Sequence, residues 1–401
     1  MSGPLSGVKV VDITTVVMGP YATQILGELG AEIIKIEAPE GDNTRHVGPM
    51  RNPGMGHMFL HLNRNKKSVV LDLKQPAGRE AMLRLAQQAD VLIYNVRPQA
   101  MARLKLSYDD IAAVNPRIIY VGAYGFSQDG PYAAKPAYDD LIQGMVGLPW
   151  LMQRSGAPEP RFVPATISDR IVGLHAVYAV TAALYHRERT GHGQFIEVPM
   201  FESMAHLILG DHFGGKTFEP PLGPAGYARV LAPYRKPFAT KDGYLCLLIY
   251  NDKQWQNFFR LIGREDMYRD DPRFSSHTNR AHHIAEVNEF VAGQIKTRTT
   301  AEWLEALTGA DIPVAAMNSI DDLINDPHFS ATGFIKRAEH PSEGPVRTTA
   351  VPTKWSDSPP EFQRHAPRLG EHSFEVLRAA GYSESEIQTM RAAGVTKFTT
   401  N

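Results

Sequence analysis

Across its first two hundred residues the chain exchanges two periodicities, and this constrains its fold more than any other feature. Six short runs rich in β-branched residues recur, at 8–13, 32–37, 68–73, 90–96, 117–123 and 194–198. Helically spaced stretches lie between several of them, at 20–29, 77–88 and 171–189. Apolar strands that alternate with helices predict a mostly parallel sheet covered on both faces, a Rossmann-like α/β domain. Ligands of such sheets bind beyond the C-terminal ends of the strands.

A length of 401 residues exceeds one ordinary compact unit, so two domains are expected. Glycine and proline cluster at 213–226, which reads as a linker. The expected division is a large α/β domain over 1–212, that linker, and a smaller α/β domain over 227–325. A second linker is expected over 326–360, then a C-terminal helical segment over 361–401. In the small domain a strand is expected over 243–249, with helices over 253–261, 281–295 and 301–307; the terminal helix is expected over 373–393.

Lys and Arg number 42 against 43 Asp and Glu, a net charge of −1, which gives no reason to expect nucleic acid or an acidic membrane as partner. The single cysteine, Cys246, excludes an internal disulfide and a thiolate-rich metal site. The fifteen histidines lack metal-ligand spacing, and His282 and His283, adjacent on one predicted helix, diverge. Trp150, Trp255 and Trp303 read as packing residues. The start of the chain has no basic segment followed by an apolar run, and the longest apolar stretch, 171–185, is broken by His175 and Thr181. A cytoplasmic location is the expectation.

Charge is uneven within this neutral chain. Between His61 and Lys105, nine basic residues (Arg64, Lys66, Lys67, Lys74, Arg79, Arg84, Arg97, Arg103 and Lys105) meet only Asp72, Glu80 and Asp90. Such a run reads either as a solvated face or as an anion site. Lys74 and Arg97 fall at predicted strand ends, which favours the anion. That anion is not held in a dinucleotide cradle, because the turn after the first strand has only Gly19 where three glycines are needed. Glu37 could mimic a ribose-binding acid, but without the glycine turn that signal is weak. No Walker loop is present.

Ser168-Asp169-Arg170 precedes the long helical run that Gly191 closes. Ser168 reads as the N-cap, and Asp169 falls in the first turn, where the positive end of the helix dipole favours a carboxylate. Two readings stand: an acid that stabilises the helix, or a carboxylate kept ionised and able to attack a carbonyl.

Read together, these segments resemble the class III CoA-transferases, relatives of formyl-CoA transferase and carnitine CoA-transferase, over nearly the whole length. The resemblance rests on Leu5-Ser6-Gly7-Val8-Lys9-Val10-Val11-Asp12, Gly19-Pro20 and Leu29-Gly30-Ala31-Glu32-Ile33-Ile34-Lys35-Ile36-Glu37. It continues through Asn63-Arg64-Asn65-Lys66-Lys67-Ser68, Leu71-Asp72-Leu73-Lys74 and Asn95-Val96-Arg97-Pro98. Gly125-Phe126-Ser127, Gly130-Pro131-Tyr132, Pro136-Ala137-Tyr138-Asp139 and the tail Pro367-Arg368-Leu369-Gly370-Glu371-His372 complete it.

The resemblance implies that Asp169 is the nucleophile. It implies CoA contacts from Val17 and Met18, from Leu71, Leu73 and Lys74, from Asn95, Val96 and Arg97, from Arg103, and from Lys135 and Tyr138 near the thiol end. It further implies coenzyme A and acyl-CoA as substrates with no tightly bound cofactor, a small carboxylic acid as acceptor, no metal, and an interlocked homodimer. Ala38 stands where relatives place a basic residue, Pro136 where a lysine is expected, and Gly223-Pro224-Ala225-Gly226 is a poor counterpart of the glycine-rich active-site loop. These departures count against formyl-CoA and oxalate. Two other readings are a 2-methylacyl-CoA racemase, which Tyr138 in place of a histidine base disfavours, and a non-catalytic acyl-CoA binder.

Overall fold

The computed structural model describes residues 3–398. They form two compact units: 3–148, 162–209 and 328–398 in the first, 149–161 and 210–327 in the second.

The first unit is built on six parallel strands, β1 (Lys9–Ile13), β2 (Glu32–Glu37), β3 (Lys66–Val70), β4 (Val91–Tyr94), β5 (Ile119–Tyr124) and β6 (Gln194–Pro199). Their order is β3-β2-β1-β4-β5-β6, so the chain reverses direction of growth between β1 and β4. The crevice above that switch point is where an open α/β sheet receives its ligand. Helices α1 (Met18–Glu28), α2 (His57–Leu62), α3 (Pro76–Gln87), α4 (Pro98–Arg103), α5 (Tyr108–Ala112), α6 (Asp139–Met145), α7 (Leu148–Arg154), α8 (Ile167–Thr190) and α9 (Met200–His212) follow in chain order, of which α7 from residue 149 and α9 from residue 210 fall in the second unit. Alternate strand residues feed two cores. Val10, Val91 and Ile119 face α1 and α8, with Leu26, Val172, Ala176 and Val180; Val11, Leu92 and Tyr120 face the opposite side, with Met82 and Leu85 of α3. Each such side chain, fully buried, contributes about 1.5–3 kcal/mol. Because both faces are covered, the strands read as continuous apolar runs rather than as alternating ones.

Two helical expectations shift. The long helix starts at Ile167, with Thr166 as its uncapped N-cap residue, so Ser168 lies buried inside the first turn rather than at the cap. It ends as expected, with Gly191 left-handed at φ 82°. At 24 residues it is long and apolar enough to cross a membrane by length and composition. Its Val172, Ala176, Val180 and Ala183 are nevertheless buried in the core of this unit.

The segment 326–360, expected as a linker, instead contains a β-hairpin, β10 (Ile335–His340) with β11 (Gly344–Thr349), and from residue 328 on belongs to the first unit. Gly344 turns the chain at φ 63°, and the buried His340 accepts the Ser342 and Glu343 N–H groups at Nδ1. Arg64 anchors the hairpin through Thr348 Oγ1 and the Thr349 carbonyl. The terminal helix is broken at Gly381 (φ 92°) into segments over Ser373–Ala379 and Glu384–Ala392, whose Val376, Leu377 and Ile387 enter the core.

The second unit has a three-stranded sheet, β7 (Phe238–Ala239), β8 (Tyr244–Leu247) and β9 (Val314–Ala316), with helices including Asp252–Leu261, Ile284–Ile295 and Thr300–Gly309. Trp255, Phe258, Phe259, Phe274 and Trp303 fill its core. The helix expected over 281–295 is interrupted, with His282 closing one helix and His283 preceding the next. Residues 149–161 also belong to this unit, and Trp150 is 51% exposed rather than packed.

Candidate active site

Four elements of the first unit shape the site, beginning with the loop between β1 and α1. Asp12, buried at the end of β1, accepts the Thr14 N–H at Oδ1 (2.8 Å) and the Thr23 hydroxyl at Oδ2 (2.6 Å). Lys66 donates to Asp12 Oδ2 (3.1 Å) and to the Pro20 carbonyl (2.9 Å). Lys35 bridges the Thr14 carbonyl (2.8 Å) and Asp42 (2.9 Å). Asp42 Oδ1 in turn accepts the Val16 N–H at 3.3 Å. Val16 sits at φ 71°, a left-handed conformation that is costly for a β-branched residue and persists only where its surroundings hold it. Buried charge thus secures this loop from below.

Gly19, the one glycine of the turn, is needed for close packing rather than for a phosphate: a Cβ there would lie 2.3 Å from the Thr14 side chain. Glu37 is committed elsewhere too. Arg45 holds both of its oxygens at 2.7 Å, and Ser68 donates to one of them, so it is not open to a ribose.

The expected CoA residues divide into groups. Leu71, Leu73, Lys74 and Val96 come together along a cavity of about 340 Å³ beyond the ends of β1, β2 and β3, roofed by Ala38 and Pro39. Leu73 and Lys74 also border an adjoining cavity of about 620 Å³ with Arg79, Arg103 and Lys105. Val17 and Met18 are buried at the start of α1, a helix with no side-chain cap, which leaves its first-turn amides unspent by side chains. Asn95 does not offer its amide to a ligand, because both ends clasp the Thr15 backbone, at 2.9 and 2.7 Å. Arg97 is exposed and reaches the Ala134 carbonyl. Lys135 stacks on the Tyr132 ring at 3.8 Å, and Tyr138, 66% exposed, precedes α6.

The basic run resolves into structural and open cations. Arg64 pairs with Glu28, Lys66 with Asp12, Lys67 with Glu32 and Glu375, and Arg84 with Glu80. Lys74, Arg79, Arg103 and Lys105 instead border the one 620 Å³ cavity. Arg79 donates to the carbonyl of Lys105, which is itself left-handed at φ 53°. Arg79 and Lys105 were legible only as members of the charge run; their convergence depends on how α3 and α4 approach.

Asp169 is half-buried in the first turn of α8. Its backbone N–H is accepted at 2.9 Å by Oδ1 of Asp139, at the start of α6. Burial first, and the Asp139 carboxylate second, push the Asp169 carboxyl up to about 7, against the opposing pull of Arg170. The expectation of a carboxylate held ionised by the helix dipole is therefore corrected: loss of water and a like charge outweigh the dipole. Gly173, one turn on along the same face, brings α8 against α1, since a Cβ there would lie 2.8 Å from the Met18 carbonyl oxygen. Gly173→Ala is accordingly expected to push the two helices apart and to lower stability by about 1–3 kcal/mol, read from the denaturant midpoint; an unchanged midpoint would show that the close approach is not needed. Among the described residues no group of His, Cys, Asp and Glu side chains could hold a metal ion.

The sequence matches the profile of CoA-transferase family III over residues 5–373. It is 32% identical to the succinate–glutarate CoA-transferase of Agrobacterium fabrum, covering 93% of this chain and 95% of that protein. It is also 32% identical to the formyl-CoA:oxalate CoA-transferase of Streptomyces avermitilis, covering 98% of this chain and all of that one. Among solved structures, a CAIB/BAIF family protein from Brucella suis superposes with a TM-score of 0.81 at 30% identity, over 95% of this chain and 100% of that one. A six-stranded parallel sheet, a half-buried carboxylate at a helix start and a full-length match converge on one assignment: the chain is an enzyme of CoA-transferase family III.

Proposed function

We propose that this enzyme moves coenzyme A from an acyl-CoA donor to a small carboxylic acid through covalent intermediates on Asp169. An Asp169 carboxylate oxygen attacks the thioester carbonyl carbon, the C–S bond breaks, and CoA leaves as thiolate, giving a mixed anhydride. The thiolate attacks the aspartyl carbonyl and expels the donor carboxylate, giving an aspartyl-CoA thioester. The acceptor carboxylate then attacks that thioester, and the released thiolate attacks the acceptor acyl carbon, forming the new acyl-CoA and freeing Asp169. The observation that carries this reading is the placement of Asp169, a half-buried carboxyl in the first turn of α8 whose N–H is bonded by Asp139; burial pushes that carboxyl up to about 7, and once ionised such a group is a stronger nucleophile than an ordinary surface carboxylate.

The adjoining cavities suit the two halves of a nucleotide. The apolar one, with Ile13, Leu71 and Val96, fits a base, and the one bordered by Lys74, Arg79, Arg103 and Lys105 fits phosphates. Arg103→Ala is expected to raise KM for the acyl-CoA by roughly tenfold, leave kcat within about twofold, and weaken the salt dependence of KM. An unaltered KM at low salt would remove Arg103 from the phosphate site. A dicarboxylic acceptor is favoured by the similarity to the succinate–glutarate enzyme. We further propose a cytoplasmic homodimer; the exposed Leu174, Tyr178 and Tyr185, which share one stripe of α8, support a partner surface.

Hydroxylamine added during turnover should intercept the anhydride or thioester and leave a hydroxamate on the Asp169 peptide, visible by mass spectrometry. Turnover without any labelled peptide would count against a covalent intermediate. New thioesters formed from a panel of CoA donors and acids, identified by mass, would define the substrates. Deuterium entering the α-position without an acceptor acid would instead support racemisation.

A further inference from the structure

We propose that Asp139 is a positioning residue for this reaction: its carboxylate supplies from another helix the cap that α8 lacks, and so holds Asp169 in place with a fixed negative charge behind it. The proposal rests on the reading of Asp169 as nucleophile.

α8 begins at Ile167, and the side chain of its N-cap residue Thr166 makes no capping bond, so the amides of its first turn need an outside acceptor. Asp139 provides one. It is 8% exposed, and its Oδ1 takes the N–H of Asp169. The bond therefore falls on the amide of the nucleophile itself. Asp139 is fixed in turn. Its Oδ2 accepts Gln143 Nε2 at 2.6 Å, and Gln143, fully buried one turn along α6, accepts the Val163 N–H at 2.9 Å through Oε1. Ser168, also fully buried, directs its hydroxyl at the Asp139 carbonyl. Both Asp139 oxygens act as acceptors, the bonding pattern of a carboxylate rather than of an acid. α6, the loop leading into α8 and the first turn of α8 are thereby joined at one buried side chain.

The charged groups that act on Asp169 are Asp139 from α6 and Arg170 from its own helix. With Asp139 occupying the position that the helix dipole stabilises, the second carboxylate cannot gain the same stabilisation and meets a like charge instead. Asp139 thus has two separable effects, a geometric one through its hydrogen bond and an electrostatic one through its charge.

Asp139→Asn keeps an oxygen for the Asp169 N–H and removes the charge, whereas Asp139→Ala removes both. The wild-type pH profile of kcat/KM should have an acid limb in the neutral range. In Asp139→Asn that limb should move down by roughly one pH unit. In Asp139→Ala the rate of hydroxamate formation at Asp169 should fall at least about tenfold at saturating acyl-CoA, with KM within about twofold. A purely structural cap would lower stability in both variants without moving the limb. An unmoved limb in Asp139→Asn would overturn the proposal, and so would a wild-type limb near pH 4, which needs no variant to fold. Asp169→Asn separates the two claims: its full activity would remove the nucleophile itself, while an inactive Asp169→Asn beside an unmoved Asp139→Asn limb would remove the positioning role alone.

Discussion

Asp169→Asn is expected to abolish CoA transfer and, at pH 8, to make the fold more stable. Loss of the attacking oxygen leaves no covalent route, and removal of a nucleophile of this kind costs roughly 10⁴-fold or more. CoA binding should survive, because the cavities with Lys74 and Arg103 border other elements. The stability gain follows from linkage. The Asp169 carboxyl lies near 7 in the folded protein against an ordinary value of 3.8. Between those values the folded chain holds a proton that the unfolded chain has lost, so stability declines as pH rises toward 7 and beyond. The full shift would amount to about 4 kcal/mol, and partial solvent access reduces this to about 2 kcal/mol. Asparagine does not pay that charging cost. Denaturant unfolding should show the variant well ahead of wild type at pH 8, with the gap narrowing as pH falls and closing below about 3.8. Equal stability across that range would mean that Asp169 is not strained by its charge, and residual transfer within tenfold of wild type would end the covalent reading.

This opposition between stability and activity was only half legible from sequence. The first-turn position of Asp169 and the stop at Gly191 follow from local rules, and the structure keeps both. The cap does not, because it arrives from Asp139, thirty residues earlier, and no helix-start pattern carries that information. Its one signal was the last residue of the Pro136-Ala137-Tyr138-Asp139 segment, where attention falls on the tyrosine. All six strands were readable, since sheets buried on both faces write themselves as unbroken apolar runs. The hairpin over Ile335–Thr349 was not, because its alternating charged residues and Pro341 and Pro345 imitate a linker. The basic run was ambiguous for a physical reason: ion-paired lysines and cavity-lining arginines have the same composition, and only the fold decides which are which.

Lys35 and Lys66 show how far that ambiguity can reach, and they lead to the largest stability effect expected. In sequence Lys66 is one member of the basic run and Lys35 lies within the second expected strand, yet both are completely buried. Burial works against the charge of Asp12, yet Lys66 and Lys35, with the Thr14 and Thr23 hydroxyls, bring it down to about 2. Burial also pulls Lys66 down to about 8, despite the nearby Asp12. Asp12→Asn leaves the Lys66 ammonium without its counter-charge and offers an amide N–H₂ where an acceptor is needed. Breaking a buried pair in this way costs about 3–5 kcal/mol, a large part of the roughly 5–15 kcal/mol that holds a domain together. The sign of the pH dependence is fixed by Lys66. Its depressed value means that the folded state sheds the proton first, so its penalty is largest at neutral pH and is relieved as pH climbs from about 8 toward 10.5. The loss in Asp12→Asn should therefore be greatest at pH 7 and smaller at pH 9.5, read from denaturant midpoints. A loss below about 1 kcal/mol, or one equal at both pH values, would show that the pair is not the support assigned to it. Activity should fail before the fold does, because Asp12, Lys66 and Lys35 hold the Thr14–Met18 loop, with Val16 in its costly conformation, beneath the point where α8 crosses α1.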